Sequence, residues 1–433
     1  MASTNIQRTL GQNSNSGKLT ISVWVKRAGF GEQGICGSWY SGAYHGILYF
    51  NSNDQITFYD YRNSYIMRKI TTAQFRDVGA WYHIVCNFDH TLGSPTGKIY
   101  VNGVEQTLST NANYTQGAQS SWLTDYTFNI GTYDGSGNYF NGNMSDFYFI
   151  QGYVYEASTF GETDATTGIW KPITQPTVNY SSTGNNSCHL KFENLANMDL
   201  DSGDNNVSFT TTGNLTQTVD TPSNVFATLN PLMLYPGNTV LANGNTSCST
   251  ASGYSHAYST LAVSTGKWYW EGKLLSSENN YFNIGIMDVS SPIISTTAYP
   301  LDTSNAYLYA VDGNIYQSGS SVLLNTGTTI SVNDIVGFYL DLDNGTLKLQ
   351  KNGSNVYSGN AVITGLSSDI TWCVAHGAAP SSVQFNFGNG YFGTTAVSSA
   401  NNDAGGQGIF EYSPTLSGVN YYALNTKNIN TYG

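Results

Sequence analysis

The sequence predicts an all-β protein built as two jelly-roll β-sandwich domains in tandem, and three observations carry that expectation. The first is composition. Aromatic residues make up 14% of the 433-residue chain, with 32 Tyr, Gly numbers 46, and only 10% of residues are charged. Tyr, Thr, Val and Gly together favour strands joined by tight turns, and 40% apolar residues suffice to fill cores. The second is periodicity: short runs alternate apolar and polar residues, and no segment keeps a 3.6 period beyond about two turns. The third is a repeated hairpin. WYHIVCNFDH and GKIYVNG, within 81–103, have a counterpart in DIVGFYLDLDNGTLKLQKNG at 334–353. In each, a bulky apolar strand ends on a carboxylate (Asp89, Asp343), and the return strand runs into Asn-Gly, which tolerates the positive φ of a tight turn.

The elements follow in order. KLTISVWVKR (18–27) alternates like a half-buried strand, and GILYF (46–50), QITFYDY (55–61), WYHIVCNF (81–88), GKIYVNG (97–103), YTFNIGTY (126–133) and MSDFYFIQGYVY (144–155) continue the pattern. Turn formers such as NSND, TLGSPTG and YDGSGN separate them, at a spacing of roughly 8–12 residues that suits a sandwich. From 156 to 230 the texture loosens into polar sequence with Pro172 and Pro176, broken by CHLKFENL (188–195) as one more strand. VDTPSNVFATLNP (219–231) has two prolines and no alternation, and reads as a linker between a domain over 1–218 and another over 232–433. The second domain resumes with GKWYWEGKLL (266–275), NYFNIGIMDV (280–289), NAYLYAVDGNIYQSG (305–319), the second hairpin, DITWCVAHG (369–377) and SVQFNFGNG (382–390). Each half is long enough for a core of its own.

Charge and cysteine usage exclude several classes. The net charge is -12, the pI is near 4.7, and 16 Lys and Arg are scattered without a basic cluster. Nucleic acid and anionic membrane are therefore poor partners, and neutral polymers fit better. Five Cys, widely spaced and with no C-x-x-C, argue against a disulfide framework and against zinc. MASTNIQRTLGQ has no signal-peptide profile, and no apolar run approaches the ~18 residues of a membrane span, so synthesis in a cytoplasm with reduced thiols is expected.

Three stretches of the first half, ISVWVKR, AWYHIVCNFD with KIYVNGV (80–104), and NIGTYDGSGNYFNGNMSDFYFIQG (129–152), resemble laminin-G-like, concanavalin A-like lectin/glucanase domains. The second half resembles a SPRY domain in STGKWYWEGKL, YAVDGNIYQSG, the 334–353 hairpin and VQFNFGNG. The joint DTPSNVFATLNP and the tail YYALNTKNINTYG are similar to those of virion proteins of tailed bacteriophages. That resemblance implies a virion surface protein (tail fibre, spike or head decoration), made in the host cytoplasm without a signal peptide. Its implied partners are other virion proteins and host cell-surface polysaccharide. It further implies a homo-oligomer; fibres and spikes are often trimeric, yet no heptad is present here to impose symmetry, and the residues leave the oligomeric state open.

Catalytic chemistry is not expected. Glucanases place paired carboxylates on one strand, spaced E-x-D-x-E, and Glu32, Glu105, Glu156, Glu162, Glu193, Glu271, Glu278 and Glu411 show no such spacing. Glu271 in WYWEGKL reads as a sheet residue. There is no G-x-S-x-G or H-E-x-x-H, and the six His are isolated. No cofactor is required, and calcium is the cation that two loops suit. One offers Asp199, Asp201, Asp204 and Asn206; the other offers Asp134, Asn138 and Asn141. The plainer reading of both is an Asx-turn loop held by its own side chains.

Sugars lay apolar C–H faces on aromatic rings while Asn and Asp read hydroxyls, so loop aromatics are the candidate carbohydrate-binding residues. They are Trp39, Tyr40 and Tyr44 in GSWYSGAYHG, Tyr133 and Tyr139 beside Asp134 and Asn138, and Tyr299 and Tyr307 in the second half. Trp24, Trp81, Trp268 and Trp270 alternate within strands and read as core. Three functions remain: a virion adhesin for host glycan, a structural virion subunit using the same aromatic surfaces for neighbours, and a glucanase, which requires carboxylates converging in a cleft.

Overall fold

The computed structural model describes residues 4–11, 17–181, 186–234, 238–251, 253–277, 282–288, 306–317, 321–367, 371–378 and 380–433. The chain divides into two compact units, Met1–Gln217 and Thr218–Gly433.

In the first unit the strands are β1 (Asn5–Thr9), β2 (Lys18–Arg27), β3 (Gln33–Ser41), β4 (Tyr44–Phe50), β5 (Ile56–Arg62), β6 (Tyr65–Thr71), β7 (Trp81–Asp89), β8 (Thr96–Val101), β9 (Val104–Glu105), β10 (Leu108–Ala112), β11 (Thr127–Ile130), β12 (Gly142–Gln151), β13 (Gly161–Thr163), β14 (Trp170–Pro172), β15 (Cys188–Leu190) and β16 (Thr210–Thr212). An eight-stranded sheet runs β10-β6-β5-β4-β3-β11-β1-β16 and a six-stranded sheet runs β15-β12-β2-β7-β8-β9. Alternation builds the sandwich: Ile21, Val23 and Val25 of β2 and Ile84, Cys86 and Phe88 of β7 face a core shared with Phe50, Phe58, Met67 and Phe128.

The opposite register of the six-stranded sheet is also buried. Val85, Tyr100, Tyr148 and Ile150 lie under Tyr153, Tyr155, Phe160, Trp170, Val178 and Tyr180. The stretch after 156, whose polar texture suggested a loose connection, is therefore a cover for that sheet. Trp24 is buried as expected, but on this outer side, where it stacks on His83 at 4.6 Å. A buried ion pair closes one end: the Arg27 guanidinium reaches Asp54 Oδ1 at 3.0 Å and the Phe75 carbonyl at 2.8 Å, and Arg76 takes Asp54 Oδ2 at 2.7 Å.

The second unit pairs a seven-stranded sheet, in the order Leu229–Leu234, Tyr254–Ser259, Thr371–Ala378, Phe282–Asp288, Ala306–Ala310, Asn314–Gln317, Ser321–Asn325, with a larger one centred on Lys267–Ser277 and Ile335–Asp341. Trp268, Trp270, Phe338 and Phe385 face Ile284, Ile286 and Ile315 across the core. Trp270 and Phe338 stack at 5.2 Å. The other face of the larger sheet carries Tyr269 and Tyr339 beneath Phe226, Phe410, Leu416 and Tyr421.

The segment 219–231, expected as a linker, is part of this unit. Phe226, Ala227 and Leu229 are buried, Ala227 N–H donates to the Leu424 carbonyl at 2.9 Å, and Thr426 N–H donates to that of Val225 at 3.0 Å. Irregular backbone buries itself here by pairing with the chain's last turn, which forms a short helix, Thr426–Tyr432.

The repeated hairpin recurs down to its hydrogen bonds. Asn102 (φ 48°) and Gly103 (φ 82°) turn the first, and Asn352 (φ 49°) and Gly353 (φ 75°) turn the second. Asn102 Oδ1 accepts from His83 N–H at 2.8 Å, and Asn352 Oδ1 accepts from Ile335 N–H at 2.8 Å. In return each Asn N–H donates to that same residue's carbonyl, at 2.9 and 2.8 Å.

Candidate functional site

The outer face of β3–β6 is aromatic. The register that sends Leu48, Phe50, Ile56 and Phe58 inward sends His45, Tyr49, Tyr59 and Tyr61 outward, in ladder with Trp39 of β3 and with Tyr65 and Arg68 of β6. Their rings touch in sequence. Trp39 stacks on His45 (4.5 Å) and His45 on Tyr61 (5.2 Å), while Tyr65 meets Tyr61 and Tyr59 edge-on at 5.2 Å. Tyr59 meets Tyr49 at 6.0 Å, and Tyr49 meets Tyr133 at 5.8 Å. Tyr133 returns to Trp39 at 6.2 Å. His45 and Tyr59 are buried at the centre, Trp39, Tyr49, Tyr61 and Tyr133 are half-buried, and Tyr65 is 49% exposed.

Tyr133 reaches this face because the loop after β11 lies directly on β3. A Cβ at Gly34 would fall 2.7 Å from Tyr133 N, and one at Gly37 2.5 Å from Tyr133 O, so only glycine admits the crossing. Asp134 holds the loop's shape: its Oδ1 accepts from the N–H groups of Ser136 (2.9 Å) and Gly137 (3.1 Å) and from the Thr132 hydroxyl (3.2 Å). It is thus an Asx-turn staple. The Tyr133 hydroxyl donates to Glu32 Oε1 at 2.7 Å and accepts from the Asn138 amide. Glu32 and Asn138, with Phe30, Gln33, Tyr139 and Asn141, line a shallow cleft of about 250 Å³ at the edge of the aromatic face. Burial pushes the phenols of Tyr49, Tyr59 and Tyr133 up and the His45 imidazole down, so the face is uncharged at neutral pH between Glu32 and Arg68.

Of the residues expected from sequence, Trp39, Tyr133, Asp134, Asn138 and Tyr139 converge here. Tyr40 and Tyr44 form a separate patch at the β3–β4 turn: Tyr40, 69% exposed, stacks on Tyr126 at 5.1 Å, and Arg62 lies over Tyr44 at 5.1 Å. Tyr307 is not a loop residue. It sits within a strand, paired with Ile286 and Gln317, and packs against the second core. Tyr299 lies outside the described residues. Sequence reasoning missed His45, Tyr49, Tyr59, Tyr61 and Tyr65, because it sought binding aromatics in loops and these lie in strands or at a strand's start. The available signal was that one register of β4–β5 carries Tyr where the other carries Phe, Leu and Ile.

In the Asp199–Asn206 loop, Asp201 accepts from the N–H groups of His189 (2.9 Å), Gly203 (2.8 Å) and Val207 (2.9 Å), and Asp199 accepts from the Thr211 hydroxyl at 2.6 Å. Backbone N–H groups thus take up both oxygens of Asp201, and a hydroxyl takes one oxygen of Asp199. Among the described residues, no three His, Cys, Asp or Glu side chains gather as a metal site would require.

Two groups resemble catalytic machinery and are occupied otherwise. His83 Nε2 lies 2.9 Å from Ser22 Oγ, but the Trp170 indole N–H donates to His83 Nδ1 at 3.0 Å. Since the indole is only a donor, Nδ1 is the acceptor and Nε2 carries the proton, so His83 donates to the serine instead of activating it. Burial lowers its pKa to about 3. Glu271 is fully buried, and its carboxylate accepts from Tyr412 N–H (2.8 Å), Glu411 N–H (3.0 Å), Tyr269 hydroxyl (3.0 Å) and Asn386 amide (3.1 Å). Burial pushes its pKa up to about 7 against those donors.

Residues 2–159 match the family described as concanavalin A-like lectin/glucanases superfamily, and residues 267–390 match the SPRY domain. Domains of both types are β-sandwiches and generally non-catalytic binding modules. No curated protein sequence matches the chain. Among solved structures it is similar to the SPRY domain of human HERC1 (17% identity, 36% of this chain and 96% of that chain, TM-score 0.31). It is also similar to stonustoxin (16%, 37% and 27%, TM-score 0.30) and to the TRIM65 PSpry domain (13%, 37% and 91%, TM-score 0.30).

Proposed function

We propose that the chain is a two-domain binding protein whose first unit takes a neutral polysaccharide across the aromatic face of β3–β6. The observation that supports this is the unbroken run of rings from Trp39 through His45, Tyr61, Tyr65, Tyr59 and Tyr49 to Tyr133, with a cleft of Glu32, Gln33, Asn138 and Asn141 beside it. Rings supply area at little conformational cost, and the amides and carboxylate supply direction. The order of the two domains and the sequence of the joint favour host-surface polysaccharide on a virion as the setting.

A glycan-array and host-cell binding assay on the full chain, with and without calcium, tests the reading. Saturable binding is expected. Trp39→Ala and Tyr65→Ala should each weaken it about ten-fold or more, the effect of roughly 1.5 kcal/mol per anchoring ring. Clean failure of the folded protein to bind any glycan sinks it.

One observation favours a second reading, a structural subunit. The edge strand Ser321–Asn325 carries no charge and exposes Val322 (53%) and Leu323 (47%), the kind of edge that pairs with another chain. Val322→Lys should then reduce the assembly state in sedimentation while leaving glycan binding intact.

A further inference from the structure

The cleft beside the aromatic face is lined by side-chain amides that the fold does not use up. Gln33, at the start of β3, is only 4% exposed, yet its Oε1 has no hydrogen-bond partner among the described residues. A buried amide oxygen left unpaired is costly, so its presence at the wall of a cleft points to an occupant. Rotation about the last side-chain torsion exchanges oxygen and nitrogen, so Gln33 can present either one.

A second amide borders the same spot. A Cβ on Gly29 would stand 3.0 Å from Asn141 Nδ2 and 3.7 Å from Gln33 Nε2, so the bare glycine leaves a gap between two NH₂ groups. Main-chain bonds fix the loop that carries Asn138 and Asn141. Ala28 N–H donates to the Asn141 carbonyl at 2.8 Å, and Gly34 N–H donates to the Asn138 carbonyl at 2.6 Å. The Asn138 amide nitrogen donates to the Tyr133 hydroxyl, which leaves its Oδ1 as an acceptor beside the Glu32 carboxylate. Phe30 and Tyr139, both half-buried, add ring surface. At about 250 Å³ the cleft is smaller than the roughly 300 Å³ at which sites for drug-sized ligands begin, and it suits one substituted sugar residue.

We propose that this cleft reads the acetamido group of an N-acetylated amino sugar, an inference that rests on polysaccharide binding at the aromatic face. Asn141 Nδ2 and Gln33 Nε2 donate to the acetamido oxygen, and the Glu32–Asn138 pair accepts from its N–H. The methyl packs on Phe30 and Tyr139. An acetamide thus uses the donors, the acceptors and the apolar wall together, whereas a hydroxyl at the same carbon has no methyl and reaches one side only. An ammonium would use Glu32 but would meet the NH₂ groups of Asn141 and Gln33 with its own positive charge.

Titration calorimetry of the full chain with three tetrasaccharides of one β-1,4 backbone tests the proposal: the N-acetylglucosamine tetramer, its de-N-acetylated form and cellotetraose. The N-acetylated tetramer should bind about ten-fold or more tightly than cellotetraose. Gln33→Leu and Asn141→Ala should each cut that preference to about two-fold or less without weakening cellotetraose. Gly29→Ala, which puts a methyl into the gap, should do the same, so the result does not hang on the buried Gln33 alone. Equal binding of the N-acetylated tetramer and cellotetraose overturns the inference and leaves polysaccharide binding standing. Tightest binding of the de-N-acetylated form overturns it in favour of an ammonium at Glu32. A preference that survives Asn141→Ala and Gly29→Ala overturns the assignment to this cleft. If the folded chain binds none of the three, the inference falls, and the glycan array decides separately on the reading beneath it.

Discussion

In the first unit the covered outer sheet face is organised around a histidine; in the second it is organised around a glutamate. His83 accepts from Trp170 of the covering segment and donates to Ser22 of its own sheet. Glu271 accepts two backbone N–H groups of the covering segment, at Glu411 and Tyr412, besides Tyr269 and Asn386. Each unit thus solves the same problem, fastening irregular chain to a sheet, with one fully satisfied titratable group. The chemistry differs in sign. Burial excludes a proton from His83 and favours one on Glu271, so acidification acts on the two fastenings in opposite directions.

The largest expected effect is therefore a divergence with pH. His83 has a folded pKa near 3 against 6.5 unfolded, so between those values the unfolded chain holds the extra proton and stability falls as pH falls. From pH 6.5 to 4.5 the first unit should lose about 2 kcal/mol on this account; the lowered His45 and His90 act in the same sense and the raised Asp60 against it. Glu271 runs the other way. Its folded pKa near 7 lies above 4.5 unfolded, so the folded state holds the extra proton in that window and stability rises as pH falls, by about 2 kcal/mol. His256, lowered to about 4, offsets that gain. Calorimetry of the full chain should show one transition moving down with acid and the other holding, and two transitions that fall together break the comparison.

Glu271→Gln is the next largest. Four donors surround two oxygens, so a carboxamide turns its NH₂ toward two of them whichever way it faces. The second unit should lose about 2–4 kcal/mol at neutral pH. Its transition should then fall with acid as the first unit's does, since the lowered His256 is no longer offset by Glu271. A variant with unchanged melting would mean that the covering segment is held by Phe410, Leu416 and Tyr421 alone.

The strands and the twin hairpins were legible because side-chain period and Asn-Gly turns are local properties. The two covers were not. Tyr153, Tyr155, Phe160 and Trp170 follow no period, and their burial is set by what the sheet beneath them leaves exposed. The same holds for Phe226 and Ala227, which sit among prolines and find backbone partners some two hundred residues away, near the chain's end. Half of the candidate site was visible as loop aromatics beside Asn and Gly. The rest lay in β4–β6, where both registers are apolar; only the hydroxyls of Tyr49, Tyr59 and Tyr61 mark the face that meets water. Asp134 and Asp201 show the converse ambiguity, since an acidic, glycine-rich loop offers the same residues to a cation and to its own backbone.

The smallest expected effect separates burial from hydrogen bonding at His83. Trp170→Phe keeps a ring against Gly103 and Gly161, where the indole now packs, but removes the N–H that occupies Nδ1. At neutral pH the first unit should lose about 1 kcal/mol, the ordinary worth of one buried hydrogen bond. In acid the variant should lose less than the wild type, because a free Nδ1 can take the proton that the indole excluded. Following the His83 ring carbon resonance through a pH titration reads this directly. A folded pKa that climbs toward 6.5 assigns the neutrality of His83 to the tryptophan donor, and one that stays near 3 assigns it to burial alone.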